Sequence, residues 1–253
     1  TSTWSDTIYI DRTAPAVTEF VFNGKGVQEG NKSGGSGRYG FFFNGGATCD
    51  VYVNDGNVSS GVESVYVTLE NTKGNTNTIK AKVNGGVATV SIPNGFKGYI
   101  SAYAVDNVGH QGNSNSPDGV VTEDSNWHVN NTNLAINLPG TQYKDASGND
   151  LYNKDVSASA TIGCGMSGIR SVVWGVGDKQ VGGISVDSNG NASGDVQSVS
   201  EKDKNLVLNL TEALNISGNA NGMKIWVRAT DKSGNTSETS RVISIDKEAP
   251  LLS

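Results

Sequence analysis

Charge, histidine and cysteine are all scarce in this chain. Of its 253 residues only 17% are Asp, Glu, Lys or Arg, the net charge is −6, and there are two histidines and two cysteines. Lys and Arg total 19 against 25 acids and form no basic stripe. Nucleic acid and anionic membrane surfaces are therefore expected to be poor partners, because phosphate binding needs clustered cations. No apolar run is long enough to cross a bilayer, so no membrane insertion is expected within these residues. His110 and His128 stand in neither H-x-x-x-H nor H-E-x-x-H spacing, and there is no C-x-x-C, so no zinc motif exists. Cys49 and Cys164 are too few for a disulfide-stapled small domain. Both are expected as free thiols, with one bridge between domains as the alternative.

What the chain has instead is glycine, at 33 copies, among many Asn, Ser and Thr. These residues are weak helix formers and supply the turns of short-stranded proteins. No convincing helix is expected. The nearest candidate, "LTEALN" from Leu210 to Asn215, reads equally well as a turn before a strand.

The chain repeats itself. "YIDRTAPAV" (Tyr9 to Val17) returns as "SIDKEAPLL" (Ser244 to Leu252), so Asp11 matches Asp246 and Pro15 matches Pro250. Between them, "SSGVESVYV" (Ser59 to Val67) matches "MSGIRSVVW" (Met166 to Trp174). "ISAYAVDNVGHQGN" (Ile100 to Asn113) matches "IWVRATDKSGN" (Ile225 to Asn235). Each matched segment alternates. Cys49, Val51 and Val53 take one register, as do Val65, Val67 and Leu69, and Ile100, Ala102 and Ala104. In the second copy the series are Val156 to Ile162, then Val172, Trp174 and Val176, then Ile225, Val227 and Ala229. Period two with one buried face means antiparallel strands over a shared core. The fold class is all-β, with two tandem immunoglobulin-like sandwiches of about 100 residues each. Residues 1–13 are expected to end a preceding repeat, 14–122 to form domain 1, 123–132 a linker, 133–247 domain 2, and 248–253 the start of a following repeat. On this reading the chain is a piece of a longer array.

The phrase hydrophobic-x-Ala-x-Asp-x-x-Gly, the "SG[VI]xSV" strand and the "IDxxAP" joint together resemble the bacterial Ig-like repeats of Gram-positive surface proteins. The resemblance covers nearly the whole chain and implies seven-stranded sandwiches in tandem. It also implies an extracellular, cell-surface or secreted location. Some gut-commensal surface proteins built from such repeats bind antibody variable regions in a superantigen-like way, which makes a host protein such as immunoglobulin the partner that the resemblance implies. Glycans are the partner if the repeats serve a secreted glycosidase, and a plain stalk needs none. Domain 1 departs from the pattern at "NGKGVQEGNKSGGSGRYGFFFNGG" (Asn23 to Gly46), a long Gly-rich insertion.

No catalytic constellation is present, so no enzyme activity and no cofactor are expected. "GCGMSG" (Gly163 to Gly168) spells G-x-G-x-x-G, but a β-branched run follows it where a dinucleotide site needs a helix. "DASGND" (Asp145 to Asp150) and "DSNGN" (Asp187 to Asn191) lack the calcium-loop pattern. They are read as self-closing turns, like those at Asp106 and Asp231, and no metal ligand is assigned. The candidate partner-binding residues are outward aromatics and their basic neighbours. Tyr66, Tyr99 and Tyr103 fall on the outer register of two strands expected to be neighbours. Trp226 and Arg228 hold the equivalent place in the second copy, and Arg38 and Tyr39 lie in the Gly-rich insertion. Exposed aromatics with Arg are what protein interfaces concentrate. Tyrosine also favours strands for their own sake, so a plain covered sheet face is the competing reading.

Overall fold

The computed structural model describes residues 8, 10–124, 128–130, 133–163, 165–186, 192–194, 199–202, 205–209, 218–249 and 251. Cys164, the Leu210–Asn215 segment, the Asp187–Asn191 loop and Pro250 lie outside the described residues. The chain divides into two compact units, Thr1–Ser125 and Asn126–Ser253.

The strands of unit 1 are β1 (Ala16–Asn23), β2 (Gly26–Gln28), β3 (Tyr39–Phe43), β4 (Ala47–Asn54), β5 (Val62–Asn71), β6 (Thr76–Lys82), β7 (Val87–Ile92), β8 (Lys97–Asp106) and β9 (Gly119–Thr122). They form a three-stranded sheet, β1-β4-β7, and a six-stranded sheet, β2-β3-β9-β8-β5-β6. Alternation decides which face is inside. Val51 from the first sheet, and Val65, Val67, Ile100 and Ala104 from the second, are all buried in one core with Phe20 and Phe22. Burying each large apolar side chain contributes about 1.5–3 kcal/mol, so this shared core holds the two sheets together. Cys49 sits in it with no exposed surface and forms no disulfide.

The Gly-rich insertion supplies two strands of its own. The Phe41–Phe43 run is the second half of β3, and all three residues are buried. Phe41 and Phe43 join the core, with the Phe22 and Phe41 ring centroids 4.4 Å apart. The expected antiparallel rule fails here, since β3 runs parallel to β9.

In unit 2 the strands are β10 (Leu134–Asn137), β11 (Tyr143–Lys144), β12 (Asp150–Tyr152), β13 (Ser159–Gly163), β14 (Ile169–Val176), β15 (Lys179–Val186), β16 (Ala192–Gly194), β17 (Val199–Lys202), β18 (Asn205–Asn209), β19 (Ala220–Asp231) and β20 (Thr236–Ile245). Their sheets are β10-β13-β18-β17 and β11-β12-β20-β19-β14-β15-β16. Here too one pair is parallel, β12 with β20. The matched sequence segments take matched places, for β5 pairs antiparallel with β8 as β14 does with β19. Trp174 is an inward core residue, as its register predicts. The chain is thus all-β, two β-sandwich units in tandem. Among the described residues each unit carries more than seven strands, because short hairpins extend the larger sheets.

Among the described residues one five-residue turn recurs four times. In Asn71–Asn75, Asp106–His110, Asp145–Asn149 and Asp231–Asn235 the first side chain accepts hydrogen bonds from the backbone amide of the fifth residue. The fourth residue is always a glycine with positive φ, at 78°, 97°, 83° and 90° for Gly74, Gly109, Gly148 and Gly234. Such a turn needs left-handed backbone at that position and an oxygen acceptor at its start. The Asp/Asn-x-x-Gly phrase common to the four turns is therefore backbone chemistry.

Candidate functional site: an aromatic face on unit 1

The six-stranded sheet of unit 1 carries an aromatic row on its outer surface. β5 and β8 pair so that Tyr66 lies directly opposite Tyr103. Their rings stack, with centroids 5.0 Å apart and planes 10° from parallel. Lys80 on β6 places its ammonium 5.7 Å from the centre of the Tyr66 ring and bonds Glu63 at 3.2 Å. On the other side of β8, Tyr99 stacks on Tyr39 of β3 at 5.3 Å and 27°. Lys97 stands 5.2 Å from the centre of the Tyr39 ring. Burial first, and then the Tyr99 phenol, push the Tyr39 hydroxyl above its ordinary pKa.

β9 lies between β3 and β8, and it would separate Tyr39 from Tyr99 if it carried a side chain there. It carries Gly119 instead. A Cβ on Gly119 would stand 2.7 Å from the Tyr39 ring and 3.0 Å from the Tyr99 ring. The glycine is what lets the two tyrosines close over the strand.

The insertion is fixed to this face by one buried acid. Asp118 has no exposed surface, yet it accepts from the Asn31 amide at 2.9 Å and from the Ser36 amide and hydroxyl, both at 2.7 Å. The Arg38 guanidinium approaches it at 3.4 Å. Burial alone would push this carboxyl up, but those donors outweigh it and hold the pKa at about 2. The Tyr99 hydroxyl adds a bond to the Gly37 carbonyl at 2.7 Å. Arg38, half exposed, is presented beside the aromatic row.

The structure thus gathers Tyr66, Tyr103, Tyr99, Tyr39 and Arg38 on one unit. Unit 2 is different. Trp226 stands on the outward register of β19 but is only 8% exposed, which corrects the expectation of an open aromatic. Its ring lies over Gly175, where a Cβ would meet it at 2.3 Å, and its indole N–H donates to the Gly177 carbonyl at 3.0 Å. Arg228 stacks on the same ring at 5.6 Å and is held by Glu238 through bonds of 2.9 and 2.6 Å. That cluster is closed on itself.

Sequence reasoning missed Lys80, Lys97, Gly119 and Asp118. The two lysines were within its reach, since Lys97 continues the outward series of Tyr99 and Tyr103. Gly119 and Asp118 carried no signal, because their role depends on the parallel β3/β9 pairing. "GCGMSG" ends as expected in a turn, with Gly168 at φ 78° directly before strand β14.

No family model matches the chain, and no curated protein matches it. Solved structures that match the chain include the tetra-tandem repeat in the extending region of a large adhesion protein, at 16% identity and a TM-score of 0.37. That match covers 90% of this chain and 49% of the other. The fibronectin(III)-like modules of Clostridium thermocellum CbhA match at 14% identity and a TM-score of 0.31, covering 83% of this chain and 90% of theirs. The BSP domain of a biofilm-associated protein matches at 16% identity and a TM-score of 0.23, covering 82% and 28%. The chain spans about half the length of the adhesion-protein repeat it resembles.

Proposed function

We propose that this chain is a non-catalytic binding segment of a bacterial cell-surface protein, and that the aromatic face of unit 1 engages a host glycoprotein, with immunoglobulin variable regions as the specific partner. The observation that carries the reading is the pair of tyrosine stacks, each with a lysine against it, on the outer surface of one sheet. Tyrosines already held by stacking lose little side-chain freedom on binding, and rigid amphipathic rings are what protein interfaces use as anchors. A mixed aromatic and cationic sheet face suits another sandwich sheet better than a small ligand, which needs a concave site.

The test is immobilised chain against polyclonal immunoglobulin, with Tyr66→Ala/Tyr103→Ala as the comparison. Binding that the double substitution weakens at least tenfold supports the reading. A glycan array that lights up while immunoglobulin stays silent moves the assignment to sugar stacking. Silence in both leaves the stalk.

A further inference from the structure

Unit 2 closes two sheet edges that unit 1 leaves open. In unit 2, β15 pairs with β16 and β18 pairs with β17, and both extra strands lie between β15 and β18 in the chain. β15 flanks β14 as β6 flanks β5, and β18 flanks β13 as β7 flanks β4. In unit 1 a short turn over residues 83–86 joins β6 straight to β7. Among the described residues, β6 and β7 therefore each end their sheet with no strand beyond them.

The two edges differ. β6 reads "TNTIKAK" and carries Lys80 and Lys82, and lysine at an edge is how sheet proteins discourage further pairing. β7 reads "VATVSI", with no charge and no proline. Its outer edge is also free to pair. Val87 donates its amide to the Asn84 carbonyl at 3.1 Å and accepts the Asn84 amide at 2.9 Å, so its backbone groups point into the turn and away from β4. Along an antiparallel strand alternate residues turn their backbone groups to the same side, so Thr89 and Ser91 present theirs to the open edge. Both residues are exposed. The groove between the two edges is lined by Ile79, Val87 and Val90 and rimmed by Lys80 and Lys82, with no acid among the described residues of its wall.

We propose that β7 accepts an extended strand from a partner protein, paired antiparallel through Thr89 and Ser91 as β17 pairs on β18, and that this strand alternates apolar with acidic residues. Its backbone supplies the ladder, its apolar side chains cover Ile79 and Val90, and its acids meet the lysine rim. The β7 of a second copy is the poorer occupant, because it brings another lysine rim against this one, and like charges brought together are costly. The edge belongs to the three-stranded sheet and the tyrosine stacks to the six-stranded one, so this site stands whether or not the tyrosines bind immunoglobulin.

The test is fluorescence anisotropy of the whole chain with a labelled peptide that alternates valine with glutamate, and amide exchange of the complex read by NMR. The Thr89 and Ser91 amides are expected to gain protection on binding, while those of Ala88 and Val90, already turned to β4, change little. Thr89→Pro, and a peptide N-methylated throughout, are each expected to weaken binding about tenfold or more, since each removes ladder hydrogen bonds. Thr89→Pro deletes an outward N–H, which an edge strand tolerates. The methylated peptide asks the same question of the unaltered protein should that variant fail to fold. Lys82→Glu, or lysine in place of glutamate in the peptide, is expected to weaken binding about fivefold at low salt. No binding, equal binding of the methylated peptide, protection gained elsewhere, or no preference for glutamate would each overturn the proposal. So would a dimer of the chain alone that Thr89→Pro dissolves, because a second copy would then be the occupant.

Discussion

Replacing Asp118 with alanine tests how the Gly-rich insertion is held. The carboxylate is fully buried and accepts three short hydrogen bonds, from the amides of Asn31 and Ser36 and from the Ser36 hydroxyl. A hydrogen bond to a charged group contributes about 1.5–3 kcal/mol, and a buried donor left without a partner costs about as much. Summing three such bonds overstates the loss, since the loop opens to water once it becomes cheaper than stranding its amides. The remaining ties limit how far it opens. Asn31 O still accepts from the Asp118 amide, Ser116 O from Gly34 and Gly35, and Gly37 O from Tyr99. The expected net loss is about 3 kcal/mol, which for a unit of this size lowers its melting temperature by roughly 10 °C. Hydrogen exchange should show the amides of residues 31–38 losing protection before those of β5 and β8. Asp118→Asn is expected to lose at least half as much, because its NH₂ group must face one of the amide donors. A loss below about 1 kcal/mol for Asp118→Ala, with loop protection unchanged, refutes the anchoring argument.

The same carboxyl gives a pH dependence. Its folded pKa of about 2 lies below the ordinary 3.8, so it adds stability above pH 3.8 that is lost as pH falls through about 2. Acidification over that window is expected to release the loop, read as a loss of exchange protection that Asp118→Asn no longer shows. Burial, and then the neighbouring Asp50, push the Cys49 thiol up to about 12. It should therefore resist alkylation at pH 8 in the folded protein and react fully in denaturant. Trp174→Ala, at a site 2% exposed in the unit 2 core, should cost about 3–5 kcal/mol of that unit's stability and leave unit 1 melting unchanged. Gly119→Ala should part the Tyr39 and Tyr99 rings, visible as a loss of near-ultraviolet tyrosine dichroism, while the Tyr66–Tyr103 stack persists.

What the sequence made legible was whatever depends on register. Val65, Val67, Ile100 and Ala104 alternate with Tyr66 and Tyr103, and that alternation alone places the aliphatics inside and the tyrosines outside. The matched "SG[VI]xSV" and "AxDxxG" phrases likewise found the β5/β8 pair and its twin β14/β19. Period two with one buried face was read as antiparallel pairing, so the parallel β3/β9 pairing was hidden, and with it the burial of the three phenylalanines. Period two says nothing of how a large ring lies on a sheet. Trp226 is on the outer register and still buried, because Gly175 beside it leaves room for the indole.

The central claim is that the tyrosine face of unit 1 is a partner surface. It is tested most directly by the affinity of the chain for purified immunoglobulin, measured by surface plasmon resonance for the parent and for Tyr66→Ala/Tyr103→Ala. Measurable binding by the parent, weakened at least tenfold in a double variant whose melting temperature is preserved, is the predicted result. Equal affinity for the two proteins, or no binding by the parent, contradicts the account.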